Sequence, residues 1–288
     1  MSTVQKKSVL ITGCSPGSIG EALCKEFLHR GWYVFAGVRT PSKAQALASL
    51  PGNSIEILEL DVTVPETISR AKEIVTKRTG GKLDLLMNNA GTEFVCPLLD
   101  TDVEKGKELF DVTVWGPLRM SQAFAPLVVE AKGIITNHSS IGAVLTMCWS
   151  GVYSSAKAAE VRMSEILRIE MEPLGVRVVT VLVGSVNTPI FGKPGGKFDL
   201  PETSYYFAAQ EHAYKQRMAH QGESMNVDDF AKAFVTKVLK SGANKKGADS
   251  IWFGTFATLV KWASWTWPQW YLDKSCNSDR GLELVPRR

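Results

Sequence analysis

From residue 8 to about residue 183, short runs of β-branched and aliphatic residues alternate with longer amphipathic stretches. The runs at 8–12, 32–36, 54–60, 83–87, 133–137 and 176–183 are apolar at successive positions, as strands covered on both faces are. Between them, 20–30, 65–79, 101–110, 117–131 and 154–172 repeat apolar residues at helical spacing. Strict alternation of strand and helix requires parallel strands joined by right-handed crossovers. The predicted fold is α/β: a Rossmann-type, doubly wound parallel sheet of about seven strands, sandwiched between helical layers.

After residue 183 the pattern loosens. Residues 184–225 are rich in Gly, Pro and polar groups, apart from a helix-like stretch at 207–218, and read as a substrate loop or lid. A helix at 227–240 and a last strand at 250–253 follow. We expect one domain over 1–288, with a dinucleotide-binding core at 1–183, the loop at 184–225 and a C-terminal part at 226–288. Five of the eight tryptophans crowd into residues 252–270. Phe256, Leu259, Val260, Ala263 and Trp267 would share one helical face, Trp262 and Trp265 would point elsewhere, and Pro268 would end the helix. Such a tail reads either as a cap over a substrate cleft or subunit contact, or as an interfacial anchor. Residues 237–288 carry nine Lys/Arg against four Asp/Glu, which suits a lipid surface, but Lys261 and other polar residues interrupt any span.

Composition removes several classes. At 288 residues, 44% hydrophobic and 22% charged, the chain has the makings of an ordinary globular core. A net charge of +4 is too mild for a nucleic-acid surface. No secretory signal is visible at the N-terminus, and five cysteines without a C-x-x-C pair read as free thiols in the cytoplasm. His29, His212 and His220 lack ligand-spaced partners, so no metal is expected. Arg287 and Arg288 have the look of an appended terminus.

Candidate chemistry begins between the first strand and first helix, at Thr12-Gly13-Cys14-Ser15-Pro16-Gly17-Ser18-Ile19-Gly20. Glycines there let the backbone turn sharply and approach a pyrophosphate, while the helix N-terminus offers free N–H groups. After the second strand comes Arg39 and no carboxylate, which favours a 2′-phosphate and hence NADP(H). Tyr153 and Lys157 sit four apart on one helix, with Ser140 upstream at a strand end. An ammonium and a nicotinamide cation lower a phenol's pKa enough for proton transfer near neutrality, and a serine hydroxyl positions the substrate oxygen. His138 is close by, yet a strand-end histidine is more commonly a packed one.

Together with Asn88-Asn89-Ala90-Gly91, Asp61-Val62 and Gly184-Ser-Val-Asn-Thr188, these motifs resemble the short-chain dehydrogenase/reductase family over nearly the whole chain. The resemblance implies that Gly13, Ser15, Gly17, Ile19 and Gly20 cradle the dinucleotide, that Asp61 and Val62 face the adenine, and that Asn88 and Asn89 line the cofactor cleft. It also implies that Val186 and Thr188 contact the carboxamide and that Lys157 holds the nicotinamide ribose. Dimers and tetramers are common in the family, so a homo-oligomer is open. Within it, residues 200–204, 253–257 and the aromatic tail are similar to fungal 1-acyldihydroxyacetone-phosphate reductases and to tailoring reductases of polyketide and terpenoid pathways. Three positions depart from the family pattern: Thr113 stands where an asparagine usually supports a water relay to the lysine, Ser18 replaces a glycine, and Val183 a proline.

The expected function is NADPH-dependent reduction of a ketone, or the reverse oxidation, on a hydrophobic substrate whose pocket residues 190–225 would define. A non-reductive cyclisation or rearrangement, hinted at by Thr113, and a non-catalytic cofactor sensor are the alternatives. The expected location is cytoplasmic, with contact to an endoplasmic-reticulum or lipid-droplet surface through 251–271 left open.

Overall fold

The computed structural model describes residues 6–192, 200–219, 223–240 and 250–286. In chain order the elements are β1 (Ser8–Thr12), α1 (Ile19–His29), β2 (Tyr33–Val38), α2 (Gln45–Ala48), β3 (Ile55–Glu59), α3 (Pro65–Thr79), β4 (Leu85–Asn88), α4 (Val103–Phe110), α5 (Gly116–Ala131), β5 (Ile134–Ser140), α6 (Gly151–Met171), β6 (Arg177–Val183), α7 (Gln210–Ala219), α8 (Val227–Lys240), β7 (Ser250–Phe253), α9 (Ala257–Thr266) and α10 (Gln269–Asn277). All seven strands are parallel, in the order β3-β2-β1-β4-β5-β6-β7. Leu10 of β1 pairs with Phe35 on one side and Leu86 on the other. The winding direction therefore reverses between β1 and β4, and a crevice opens beyond the carboxyl ends of the strands there.

Continuous apolar strands demand cover on both faces. One core joins β1, β2 and β4 to Phe27 of α1 and to Phe230 and Phe234 of α8. The other joins the same sheet to Ile68 of α3, Phe124 of α5 and Met171 of α6. Local signals set the helix ends: Pro65 opens α3, and Gly80, at φ +66°, closes it in the left-handed conformation that an L side chain resists. Between α4 and α5 the chain makes a π-turn over Asp111–Trp115, which buries Thr113.

Several expected boundaries move. β2 starts and ends later than expected and includes Gly37, because a side chain there would strike Leu60, so the glycine reports close packing and not a turn. β5 continues to Ser140, which pairs with Val183. α6 begins three residues early, at Gly151. Helix α10, unanticipated, starts anew straight after Pro268, which ends α9 as expected.

Phe234 stacks on Phe230 at 5.5 Å and meets the His138 ring edge-on at 5.1 Å, tying α8 to the end of β5. Replacing Phe234 by Ala is expected to cost about 3–5 kcal/mol of unfolding free energy in urea. A loss below about 1 kcal/mol would contradict this packing.

Candidate active site

The crevice is a cleft of about 930 Å³ running from the residue 13–19 loop to α9 and α10. At one end the glycine loop is held so tightly that no side chain fits. A Cβ on Gly13, at φ +75°, would lie 2.8 Å from the Ala90 Cα, and one on Gly20 2.6 Å from the Gly13 carbonyl oxygen. Ser18, standing for the usual glycine, caps α1: its Oγ accepts from the Glu21 N–H at 3.2 Å and donates to Gly13 O at 3.1 Å. The Glu21 carboxylate reaches back to the Gly17 N–H at 2.6 Å, completing a capping-box arrangement that stiffens the loop. Thr12 Oγ1 accepts from the N–H groups of Asn89 and Ala90, and Asn89 Nδ2 donates to Thr12 O at 2.8 Å. This staple brings the 88–91 segment against the loop.

Gly13, Ser15, Ile19, Arg39, Asp61, Val62, Asn89, Val186 and Thr188 all line the cleft with Ser140, Tyr153 and Lys157. Gly17 and Gly20 shape the loop from behind. Asn88 does not line the cleft: 3% exposed, its side-chain amide donates into the core, to Asn137 Oδ1 at 2.8 Å and Ser121 Oγ at 3.3 Å. Asn88 is the last residue of β4 and turns into the core, whereas Asn89 begins the loop beyond it, held against Thr12.

At the other chemical end, Ser140 closes β5 and its Oγ accepts from the Gly142 N–H at 3.0 Å while sharing a hydrogen bond with Tyr153. Burial pushes the Tyr153 phenol above its ordinary value, against the pull of the Lys157 ammonium and the Ser140 bond. Lys157 Nζ donates to His138 O at 2.9 Å and to Glu160 Oε2 at 2.9 Å, which leaves one of its three N–H donors. Burial alone would lower the lysine pKa; the Glu160 carboxylate, with a contribution from Tyr153, offsets this and holds the ammonium charged. Glu160, 3% exposed beside a side chain 6% exposed, escaped the sequence reading. The signal was present, as a carboxylate three residues after a lysine on one helical face. Thr113 makes no such contact: its hydroxyl is buried and has no hydrogen-bond partner among the described residues.

His138 is held as the neutral imidazole. Burial and the Lys157 charge drive its pKa to about 3, and its Nε2 pairs with Thr136 Oγ1 at 3.2 Å.

Aromatic and aliphatic side chains build the far half of the cleft, among them Phe94, Met147, Trp149, Leu259 and Trp267. The expected α9 face therefore does cover the cleft, whereas Trp262 and Trp265 point to solvent, Trp265 at 80% exposure. No helix among the described residues is long and apolar enough to cross a membrane. Of the segment expected to define the pocket, 190–225, Ile190 lines the cleft, while Leu200 and Ala209 are buried against Trp149, itself a lining residue. Residues 193–199, His220 and Arg287-Arg288 lie outside the described residues.

The family model for short chain dehydrogenases matches residues 7–195. The chain belongs to that family. A short-chain dehydrogenase of Talaromyces islandicus is 44% identical over 237 residues, 81% of this chain and 82% of the relative. An NADPH-dependent 1-acyldihydroxyacetone phosphate reductase of Schizosaccharomyces pombe is 33% identical over 240 residues, covering 82% of this chain and 80% of its own. The crystal structure of a short chain dehydrogenase from Burkholderia cenocepacia in complex with NADP superposes with a TM-score of 0.71 at 26% identity, covering 95% of this chain and 98% of the other. As a member of this family the protein is an oxidoreductase.

The buried Lys157–Glu160 pair has a measurable signature. Glu160→Gln removes the carboxylate and leaves the ammonium buried, so unfolding in urea at pH 7 should lose about 3–5 kcal/mol. Stability within about 1 kcal/mol of the parent would show that Lys157 does not depend on Glu160.

Proposed function

We propose that the protein, as one domain, reduces a ketone on an apolar substrate to a secondary alcohol with NADPH. The observation that carries this reading is the convergence of Ser140, the buried Tyr153 phenol and the charged Lys157 on a glycine-walled cleft. The cradle fits a dinucleotide: Gly13 and Gly17 take positive φ, and Arg39 stands at the cleft with its guanidinium exposed. Arg39 suits a 2′-phosphate, and the S. pombe and B. cenocepacia relatives, named for NADPH and NADP, support the same choice. Asp61 and Val62 would face the adenine, Val186 and Thr188 the carboxamide. When bound, the reduced nicotinamide supplies the hydride.

The chain's own residues do the rest. Tyr153 Oη donates its proton to the substrate oxygen, and the Ser140 hydroxyl orients that oxygen. Lys157 turns its remaining N–H toward the cleft, where it holds the cofactor ribose and offsets the negative charge left on Tyr153. A phenol held above its ordinary pKa is fully protonated at pH 7, which suits an acid and hence reduction. The mostly apolar far half of the cleft favours a hydrophobic substrate. A cytoplasmic location fits this reading, with the exposed Trp262, Trp265 and Trp270 supporting contact with a membrane surface.

Tyr153→Phe should lower turnover at least about a thousandfold while leaving NADPH affinity within about twofold. Loss of NADPH absorbance at 340 nm reports it, and undiminished activity would remove Tyr153 as the acid. Because the acid form is the active one, the parent's reductive rate should stay level across neutral pH and fall only on the alkaline side. Arg39→Ala should raise KM for NADPH about tenfold and leave that for NADH unchanged. Substrate conversion without any change at 340 nm would instead favour a cyclisation or rearrangement.

A further inference from the structure

We infer that the substrate carries an oxyanion, a carboxylate or a phosphate monoester, that docks on Arg280 at the far end of the cleft. The inference rests on reading the cleft as a reductase's substrate site.

Arg280 lines the cleft beside Met147, Trp149, Leu272 and Cys276. Its position is built, not incidental. The backbone oxygen accepts from the Trp149 indole Nε1 at 2.8 Å, Nε donates to Cys276 O at 2.6 Å, and Nη2 rests 3.5 Å from the Met147 sulfur. Trp149 itself is held at φ +68°, a left-handed conformation that is unfavourable for a bulky residue. Its carbonyl bond to the Cys96 N–H at 2.7 Å keeps it there. A strained aromatic thus fixes the backbone that presents the guanidinium.

Among the described residues the guanidinium has no ion-pairing carboxylate. Glu283, one turn further on, lies 3.9 Å from His212 Nε2 instead. Burial raises the neighbouring thiols, Cys148 to about 11 and Cys276 in the same direction, so both stay neutral. Arg280 is among the residues lining the cleft, and its Nη1 donors have no protein acceptor among the described residues. A wholly apolar ligand filling this space would strip their water and return nothing, and such stranding is strongly unfavourable. A carboxylate or phosphate meets the planar fork with two parallel hydrogen bonds.

The geometry also orders the ligand. The Met147 methyl lies 3.4 Å, and the Tyr153 ring 3.3 Å, from where a Cβ on Gly142 would stand. One methionine side chain therefore separates the guanidinium from the neighbourhood of the phenol. The ligand would have its reacting carbonyl at Tyr153, an apolar spacer along Met147, and its oxyanion at Arg280.

The test uses the full chain loaded with NADPH and three rigid probes: biphenyl-4-carboxylate, 4-biphenylyl phosphate and the neutral isostere biphenyl-4-carboxamide. Calorimetric titration should show one or both anions binding at least about tenfold tighter than the amide. Whichever anion binds tighter identifies the group. Arg280→Met should bring all three within about twofold, and Arg280→Lys, which keeps the charge but loses the fork, should retain part of the preference. Equal binding of anion and amide by the parent, a preference that survives Arg280→Met, or binding of none of the probes would overturn the proposal. NADPH affinity, followed separately by its fluorescence, should be the same in all three proteins. Failure of NADPH itself to bind would reject the reductase reading, whereas normal NADPH binding without anion preference rejects the Arg280 site alone.

Discussion

A lysine ammonium buried at the carboxyl end of an interior strand has to be surrounded by acceptors, and that requirement organises the centre of this molecule. Lys157 satisfies it with the carbonyl of His138 from β5 and the carboxylate of Glu160 from its own helix. The Ser139 hydroxyl returns a bond to the Lys157 carbonyl at 2.9 Å. These contacts clamp the first turns of α6 against the last residues of β5. In consequence Tyr153, one turn earlier, is set opposite Ser140 at the mouth of the crevice. The charge that stabilises the fold locally is also the charge nearest the phenol, so stability and chemistry share one interaction.

The crevice walls divide the labour by composition. One wall is backbone and glycine, since the close approach of Gly13 to Ala90 leaves space for nothing larger. The other wall is side chain, much of it from the tail beyond β7, where α9 turns Val260 and Ala263 inward. Phe256, which starts α9, sits at φ +67°. With Trp149 it makes two aromatic residues in an unfavourable backbone region, both at the substrate half. Strain gathered there is consistent with a shape fixed for recognition.

Much of this was legible in the chain. Apolar runs located every strand, because parallel strands covered on both sides leave little room for polar residues. The first glycine turn, Ser140, Tyr153 and Lys157 were legible because strand ends and helix starts are marked by composition. Other features were hidden for physical reasons. Gly37 gave no sign of its role, which is to let Leu60 pack against β2. Asn88 and Asn89 are adjacent letters with opposite destinations, because β4 ends between them. The lid-like composition after residue 183 suggested a pocket wall, and 184–190 contribute to it, while Leu200 and Ala209 are buried against Trp149. Glu160 reads as one more surface acid on an amphipathic helix until tertiary packing turns it inward. Thr113 drew attention as a changed relay residue, whereas the side-chain partner of Lys157 is Glu160, three residues on along α6.

The central claim is that the remaining donor of Lys157 and the Tyr153 hydroxyl face one bound nicotinamide. A crystal structure of the protein with NADP bound tests it most directly. The account predicts Lys157 on the nicotinamide ribose, still paired with Glu160, with Tyr153 and Ser140 beside the ring. A nucleotide seated elsewhere, or a Lys157 that contacts no part of it, would contradict the account.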